Sequence, residues 1–167
     1  EPEDDTQAIR PPRIAIIGRP NVGKSTLLNA ILDDERSIVD DTPGTTRDPI
    51  HTDIRYNGEL YHFVDTAGIR KRAKTVERVE KFSVVGSLHV IERADIVLLL
   101  VDASVGPTDQ DAHVAGEAFE RGKAIIVIAN KWDEGSKVFT REAFKERMEL
   151  KMNYMSSFPL IFISAKT

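Results

Sequence analysis

The chain has 167 residues, 41% of them hydrophobic and 30% charged, with no cysteine and no apolar run as long as a membrane span. That describes one soluble globular domain with a single core, and it excludes disulfides, thiolate metal sites and a spanning helix. The net charge of −4 is local: residues 1–5 hold four acids and no base, so the remainder balances at 23 acidic against 23 basic residues and gives no argument for or against nucleic acid.

The first segment, EPEDDTQAIRPP (residues 1–12), is acidic and holds three prolines, and it reads as a linker or arm preceding a domain at residues 13–167. It lacks an initiator Met, which suggests a piece of a longer protein, and nothing in it resembles a signal peptide, so a cytoplasmic location is expected. RIAIIG (Arg13–Gly18) reads as a short buried strand, followed by a helix through GKSTLLNAIL. Ser37 to Arg47 is polar and punctuated by Gly and Pro, hence a loop. HTDIRY and ELYHFVD flank Asn57-Gly58, the strongest short hairpin signal. Val76, Val79, Phe82, Val85, Leu88 and Ile91 mark one apolar helix stripe. DIVLLLVD (Asp95–Asp102) and AIIVIAN (Ala124–Asn130) are continuous apolar runs, as expected of strands buried on both faces.

Between those runs, Thr108 and Asp111 form a capping box with Asp in place of Glu, and Gly122 supplies the helix stop. A further helix begins near Thr140 with Phe144, Met148 and Met152 on one side, and PLIFISAK is the last strand. The alternation predicts an α/β fold: a mostly parallel, six-stranded sheet with one antiparallel hairpin and helices on both faces. Four histidines (His51, His62, His89, His113) show no ligand spacing and read as surface or satisfied side chains.

The chemistry is carried by five short motifs. GRPNVGKS (Gly18 to Ser25) fits G-x-x-x-x-G-K-[ST] and falls between a strand and a helix, where such a loop can cradle phosphates. Gly18, Arg19, Pro20, Asn21, Val22, Gly23, Lys24, Ser25 and Thr26 are therefore candidate nucleotide contacts. Lys24 would reach the β- and γ-phosphates, and the Ser25 hydroxyl would bind Mg²⁺. NKWD (Asn130, Lys131, Trp132, Asp133) follows a buried strand. A carboxylate at Asp133 can accept from both N1–H and the exocyclic amine of guanine, whereas adenine would leave it unpaired. SAK (Ser164, Ala165, Lys166) is a second candidate base contact.

Two γ-phosphate sensors complete the set. DTAG (Asp65, Thr66, Ala67, Gly68) offers a carboxylate near the Mg²⁺ shell and a glycine N–H for the phosphate. TPGTTRD (Thr42 to Asp48) offers a threonine hydroxyl for Mg²⁺, with Thr46 preferred over Thr45. Ile69 follows Gly68, at the position where the best-known switch GTPases place a water-orienting glutamine. Either the site binds without hydrolysing, as a GTP-gated binding module, or it hydrolyses by another route. RKRAK (Arg70 to Lys74) reads as a solvated basic turn or as a contact for RNA phosphates or a neighbouring domain.

GRPNVGKST, PGTTRD, DTAGIRKR, EKFSVVGSL and NKWD together resemble the second GTPase domain of the EngA/Der family of bacterial proteins, related to Era and to the MnmE/TrmE GTPases. The resemblance implies a Ras-like P-loop fold, GTP hydrolysis with Mg²⁺, and a role in large ribosomal subunit assembly, with the subunit's RNA and further domains of the same polypeptide as partners. Thr46 and Gly68 would act with Lys24 in catalysis. It also implies that Asn21, matching the P-loop asparagine of potassium-activated relatives, helps hold a K⁺ with backbone carbonyls around Asp40 and Thr42. Ras-like domains carry a helix after SAK that this chain does not reach, so a less stable domain with exposed apolar surface is expected.

Overall fold

The computed structural model describes residues 10–40, 50–74 and 84–166. The first part of the arm, the Thr42–Asp48 loop with Thr45 and Thr46, and the stripe residues Val76, Val79 and Phe82 lie outside them.

The described elements run β1 (Arg13–Ile17), α1 (Lys24–Asp33), β2 (Ser37–Val39), β3 (Thr52–Tyr56), β4 (Glu59–Phe63), α2 (Thr66–Lys74), α3 (Val84–Arg93), β5 (Ile96–Asp102), α4 (Asp109–Glu120), β6 (Ala124–Asn130), the four-residue α5 (Trp132–Gly135), α6 (Arg141–Lys151), a 3₁₀ turn (Asn153–Ser157) and β7 (Leu160–Phe162). They form one sheet in the order β2-β3-β4-β1-β5-β6-β7. The β4-β1-β5-β6-β7 portion is parallel, and β3 pairs antiparallel with both β2 and β4.

The sheet therefore has seven strands, not six. The additional strand, β2, lies in the segment read as loop. Its register is Ser37↔Tyr56, Ile38↔Arg55 and Val39↔Ile54, and both Ile38 and Val39 are exposed. A three-residue edge strand with no buried face leaves no alternation in the sequence; backbone pairing alone defines it.

Elsewhere the local signals and the fold agree. Asn57 and Gly58 adopt φ 51° and 83° in a two-residue turn, the geometry that matches hairpin twist. Thr108 and Asp111 form a reciprocal capping box on α4. That helix ends with Gly122 at φ 69°, Gly122 N–H donating to the Phe119 carbonyl and Lys123 N–H to that of Ala118, the Schellman arrangement. Thr140 caps α6 by accepting from the Ala143 N–H.

Side chains alternate between two cores. Ala15, Ile17, Val97, Leu99, Val101, Ile125 and Val127 face Ile91, Val114, Ala118, Phe144, Met148 and Met152 on one side. Ile14, Ile16, Ile54, Phe63, Leu100 and Ile128 face Val22, Leu28 and Ile69 on the other. On this second face Ile96, Leu98 and Ile126 are half-buried, and Ile161 is exposed.

The register of β5 with β6 is continuous from Ile96↔Ala124 to Asp102↔Asn130. It brings the ends of both strands to one edge. The loop after β1, the turn after β4 and the segment after β7 leave the sheet at that same edge, and antiparallel β3 begins there, with Thr52 opposite Phe63. Ligands in open parallel sheets bind at this carboxyl edge.

Candidate nucleotide-binding site

The glycine-rich loop closes tightly. Gly23 has φ +106°, a backbone conformation that disfavours side chains, and a Cβ there would lie 2.2 Å from Asn130 Nδ2. Gly18 likewise leaves no room: a Cβ would meet the Leu100 carbonyl oxygen at 2.8 Å. Asn21 has φ 64° and is exposed at the loop's crest, while Val22 is buried and anchors the loop in the second core. Lys24 opens α1, and its Nζ donates to the Gly18 carbonyl at 2.6 Å and to that of Arg19 at 3.4 Å, so the ammonium lies against the loop that it closes. Ser25 and Thr26 follow in the first turn of the same helix.

Asn130, the last residue of β6 and only 3% exposed, ties three segments together. Its Nδ2 donates to the Val22 carbonyl at 2.8 Å, and its Oδ1 accepts the Ala165 N–H at 2.9 Å. Lys131 takes φ 62°, which turns the chain into α5. Trp132 N–H donates to the Ile163 carbonyl and Asp133 N–H to the Ser164 hydroxyl, both at 3.0 Å. The Asp133 carboxylate remains exposed at the mouth. A cavity of about 280 Å³ results, lined by Gly23 of the loop and Thr26 of α1, by Asn130, Lys131 and Asp133, and by Ser164, Ala165 and Lys166. Three sequence motifs meet around one space, the first of them more than a hundred residues before the other two. Glu134 joins the lining although no motif marks it.

Asp102 at the end of β5 is a further member that the motifs do not name. Its carboxylate accepts from the Ser104 hydroxyl and N–H through one oxygen and from Lys131 Nζ, at 3.0 Å, through the other. Burial pushes its pKa up, but these donors together hold it below the ordinary carboxylate value. An ionisable residue ending an otherwise apolar strand at the ligand edge was the available signal.

The DTAG segment is held from the start of β3. Asp65, at φ 57°, donates its N–H to His51 Nδ1 at 2.8 Å, which requires that nitrogen to be unprotonated. Thr66 is buried, its hydroxyl 2.6 Å from that of Thr52, and Ala67 N–H donates to the Ile50 carbonyl. Asp65 Oδ1 lies 3.3 Å from where a Gly68 Cβ would be, so the carboxylate sits beside Gly68. Gly68 is in the first turn of α2, where N–H groups have no acceptor within the helix. Arg70–Lys74 continue that helix, which replaces the basic turn read from the sequence.

Ile69 is 8% exposed and packs into the core that contains Val22 and Leu28. The side chains of Val22, Thr66 and Ile69 all face inward, so contact with a ligand from these three would run through the backbone, while the half-buried Trp132 lies tilted against Phe162 with ring centroids 4.5 Å apart. The histidines read as satisfied behave so where partners are seen: His62 Nδ1 meets Asp53 Oδ1, and His113 lies 3.6 Å from Glu117.

The sheet order, the glycine loop at its carboxyl edge and the converging NKWD and SAK segments define a P-loop nucleotide-binding domain. The chain belongs to the family described as 50S ribosome-binding GTPase, which residues 13–131 match. It is 52% identical to the GTPase Der of Caldanaerobacter subterraneus subsp. tengcongensis over 93% of this chain and 36% of that protein. It is 48% identical to the GTPase Der of Dechloromonas aromatica over 99% of this chain and 37% of that one. It thus spans little more than a third of the length of these relatives. Among solved structures, Era in complex with MgGDPNP and nucleotides 1506–1542 of 16S ribosomal RNA superposes with a TM-score of 0.60 at 27% identity, covering 93% of this chain and 51% of Era. Aquifex aeolicus Era bound to GDP·AlF4⁻ gives 0.58 at 26% identity, over 95% and 52%.

Proposed function

We propose that the chain binds GTP, hydrolyses it to GDP and phosphate with Mg²⁺, and serves as a nucleotide switch of a larger cytoplasmic protein in large ribosomal subunit assembly. The observation that carries the reading is the cavity shared by the P-loop, NKWD and SAK. Asp133 supplies the acceptor that guanine's two N–H donors require, and Asn130 locks the three segments in register. The family's description as 50S ribosome-binding GTPase and the resemblance to GTPase Der over nearly the whole chain support the large-subunit part, and Era's complex with 16S ribosomal RNA shows a structural relative on ribosomal RNA. Residues 13–167 are the GTPase unit and residues 1–12 its linker in this reading.

Mg²⁺ fits the donor set. Among the described residues no cluster of three or more acidic, His or Cys side chains could hold a metal by itself. Mg²⁺ would be held mainly by phosphate oxygens and water, with Ser25 and Asp65, and Thr46 from the loop outside the described residues, as the protein donors. The ion would neutralise charge on the β- and γ-phosphates. K⁺ beside Asn21 would add positive charge where the bond breaks; the exposed position of Asn21 on the loop crest supports it. Arg70 and Lys71, exposed on α2, are offered as phosphate contacts for RNA. Exchanging Arg70, Lys71 and Arg72 for glutamine in the full protein should weaken large-subunit binding.

Equilibrium binding of fluorescent GDP, GTP and ATP in Mg²⁺, followed by single-turnover hydrolysis, tests the reading. Guanine nucleotides should bind at least about 100-fold more tightly than ATP. Equal affinities would overturn it, and tight GTP binding without turnover would leave a binding module in its place.

A further inference from the structure

The second position of the P-loop is free in the motif, yet here it carries an ion pair to a buried carboxylate. Arg19 Nε donates to Asp111 Oδ1 at 3.2 Å, across 92 residues, with the two side chains 22% and 1% exposed. Asp111 is the third residue of α4 and closes its capping box. Its Oδ2 accepts from both the Thr108 N–H, at 2.9 Å, and the Thr108 hydroxyl, at 3.0 Å. The cap uses one oxygen; the second is directed at the P-loop. A carboxylate this buried needs every partner it has.

The main chain of Arg19 faces the other way. Its carbonyl accepts from the Val22 N–H and from Lys24 Nζ, both at 3.4 Å. Thus the residue whose side chain is fastened to α4 also holds, through its backbone, the turn of the loop and the phosphate-binding lysine. We propose that Arg19 is a positioning residue, and Asp111 its anchor, that together fix the P-loop's first turn and the Lys24 ammonium for the phosphates of the nucleotide. The base site has ties of its own that bypass Arg19 and Val22: Ala165 N–H donates to Asn130 Oδ1 at 2.9 Å, and Asp133 N–H to the Ser164 hydroxyl at 3.0 Å. The proposal rests on the guanine-nucleotide reading of the site.

The two halves of the nucleotide therefore separate the strut from a general loss of stability. Dissociation constants for GDP and for guanosine, which lacks phosphates, are measured by competition against a fluorescent GDP for wild type, Arg19→Met, Asp111→Asn, the double variant and Arg19→Lys. Arg19→Met and Asp111→Asn should each weaken GDP at least tenfold while guanosine changes less than twofold. The double variant should lose no more than the worse single variant, and Arg19→Lys should recover part of the GDP affinity. Parallel loss of GDP and guanosine, unchanged GDP affinity, or additive losses in the double variant would overturn the proposal. If one single variant does not fold, the GDP-to-guanosine ratio of the other and of Arg19→Lys decides. Failure of the wild-type protein to bind GDP would instead overturn the nucleotide reading, and this strut with it.

Discussion

Asn130 Nδ2 donates to the carbonyl of Val22 at 2.8 Å, so the last residue of β6 holds the phosphate-binding loop from behind. The contact is possible only because Gly23 has no side chain, since a Cβ there would fall 2.2 Å from the same nitrogen. Gly23→Ala should therefore displace Asn130 and lower GDP affinity at least about tenfold, a loss of about 1.4 kcal/mol of binding. Asn130→Ala should cost about 1–3 kcal/mol of folding stability through the unpaired Val22 carbonyl and Ala165 N–H. Urea denaturation and nucleotide titration measure the two effects.

Ile69 occupies the position of a catalytic glutamine elsewhere, but its side chain is core. Ile69→Gln should lose about 1–3 kcal/mol of stability from the buried amide and should not accelerate single-turnover hydrolysis. A tenfold faster reaction would show that the residue can reach the attacking water.

Asp133→Asn exchanges an acceptor pair for a donor and an acceptor. Affinity for GTP should fall at least about 100-fold, and xanthosine triphosphate, whose C2 carbonyl can accept from the new amide, should bind better than GTP. Competition assays with both nucleotides read this directly.

Asp102 predicts a pH dependence. Its folded pKa lies below the unfolded value because Ser104 and Lys131 outweigh burial. Its contribution to stability is therefore present above about pH 4 and lost as pH falls through the lower folded value. The stability difference between wild type and Asp102→Asn, followed by denaturation from pH 7 to pH 3, should be constant down to about pH 5 and shrink below about pH 4.

Asn21 tests the monovalent ion. Steady-state hydrolysis should be several-fold faster in K⁺ than in Na⁺ at equal ionic strength, and Asn21→Ala should abolish the difference. Equal rates for the wild-type protein would remove K⁺ from the reaction.

Much of this molecule is written locally. The apolar runs of β1, β5 and β6, the Asn57-Gly58 turn, the Thr108–Asp111 box and the Thr140 cap are each specified by residues within one element or one turn, so they are legible without the fold. The P-loop, NKWD and SAK segments are legible because each is a short run of fixed residue types, and all three line one cavity. Strand β2 escaped because an edge ladder with exposed Ile38 and Val39 leaves no burial pattern. The helix at Arg70–Lys74 escaped because a run of basic residues has no apolar period, and it is Ile69 and the contacts of Thr66 and Ala67 with Ile50 and Thr52 that fix its start.

The sequence by itself thus determined the family's motifs and most of the elements, since backbone propensity and motif chemistry act over a few residues. Only the tertiary structure decided which side chains stand behind the site. Asn130 on Val22, Lys131 on Asp102 and Arg19 on Asp111 join residues far apart in the chain, and parallel strand register, a property of the whole sheet, brings their segments to one edge, while the antiparallel β3–β4 ladder sets His51 on Asp65.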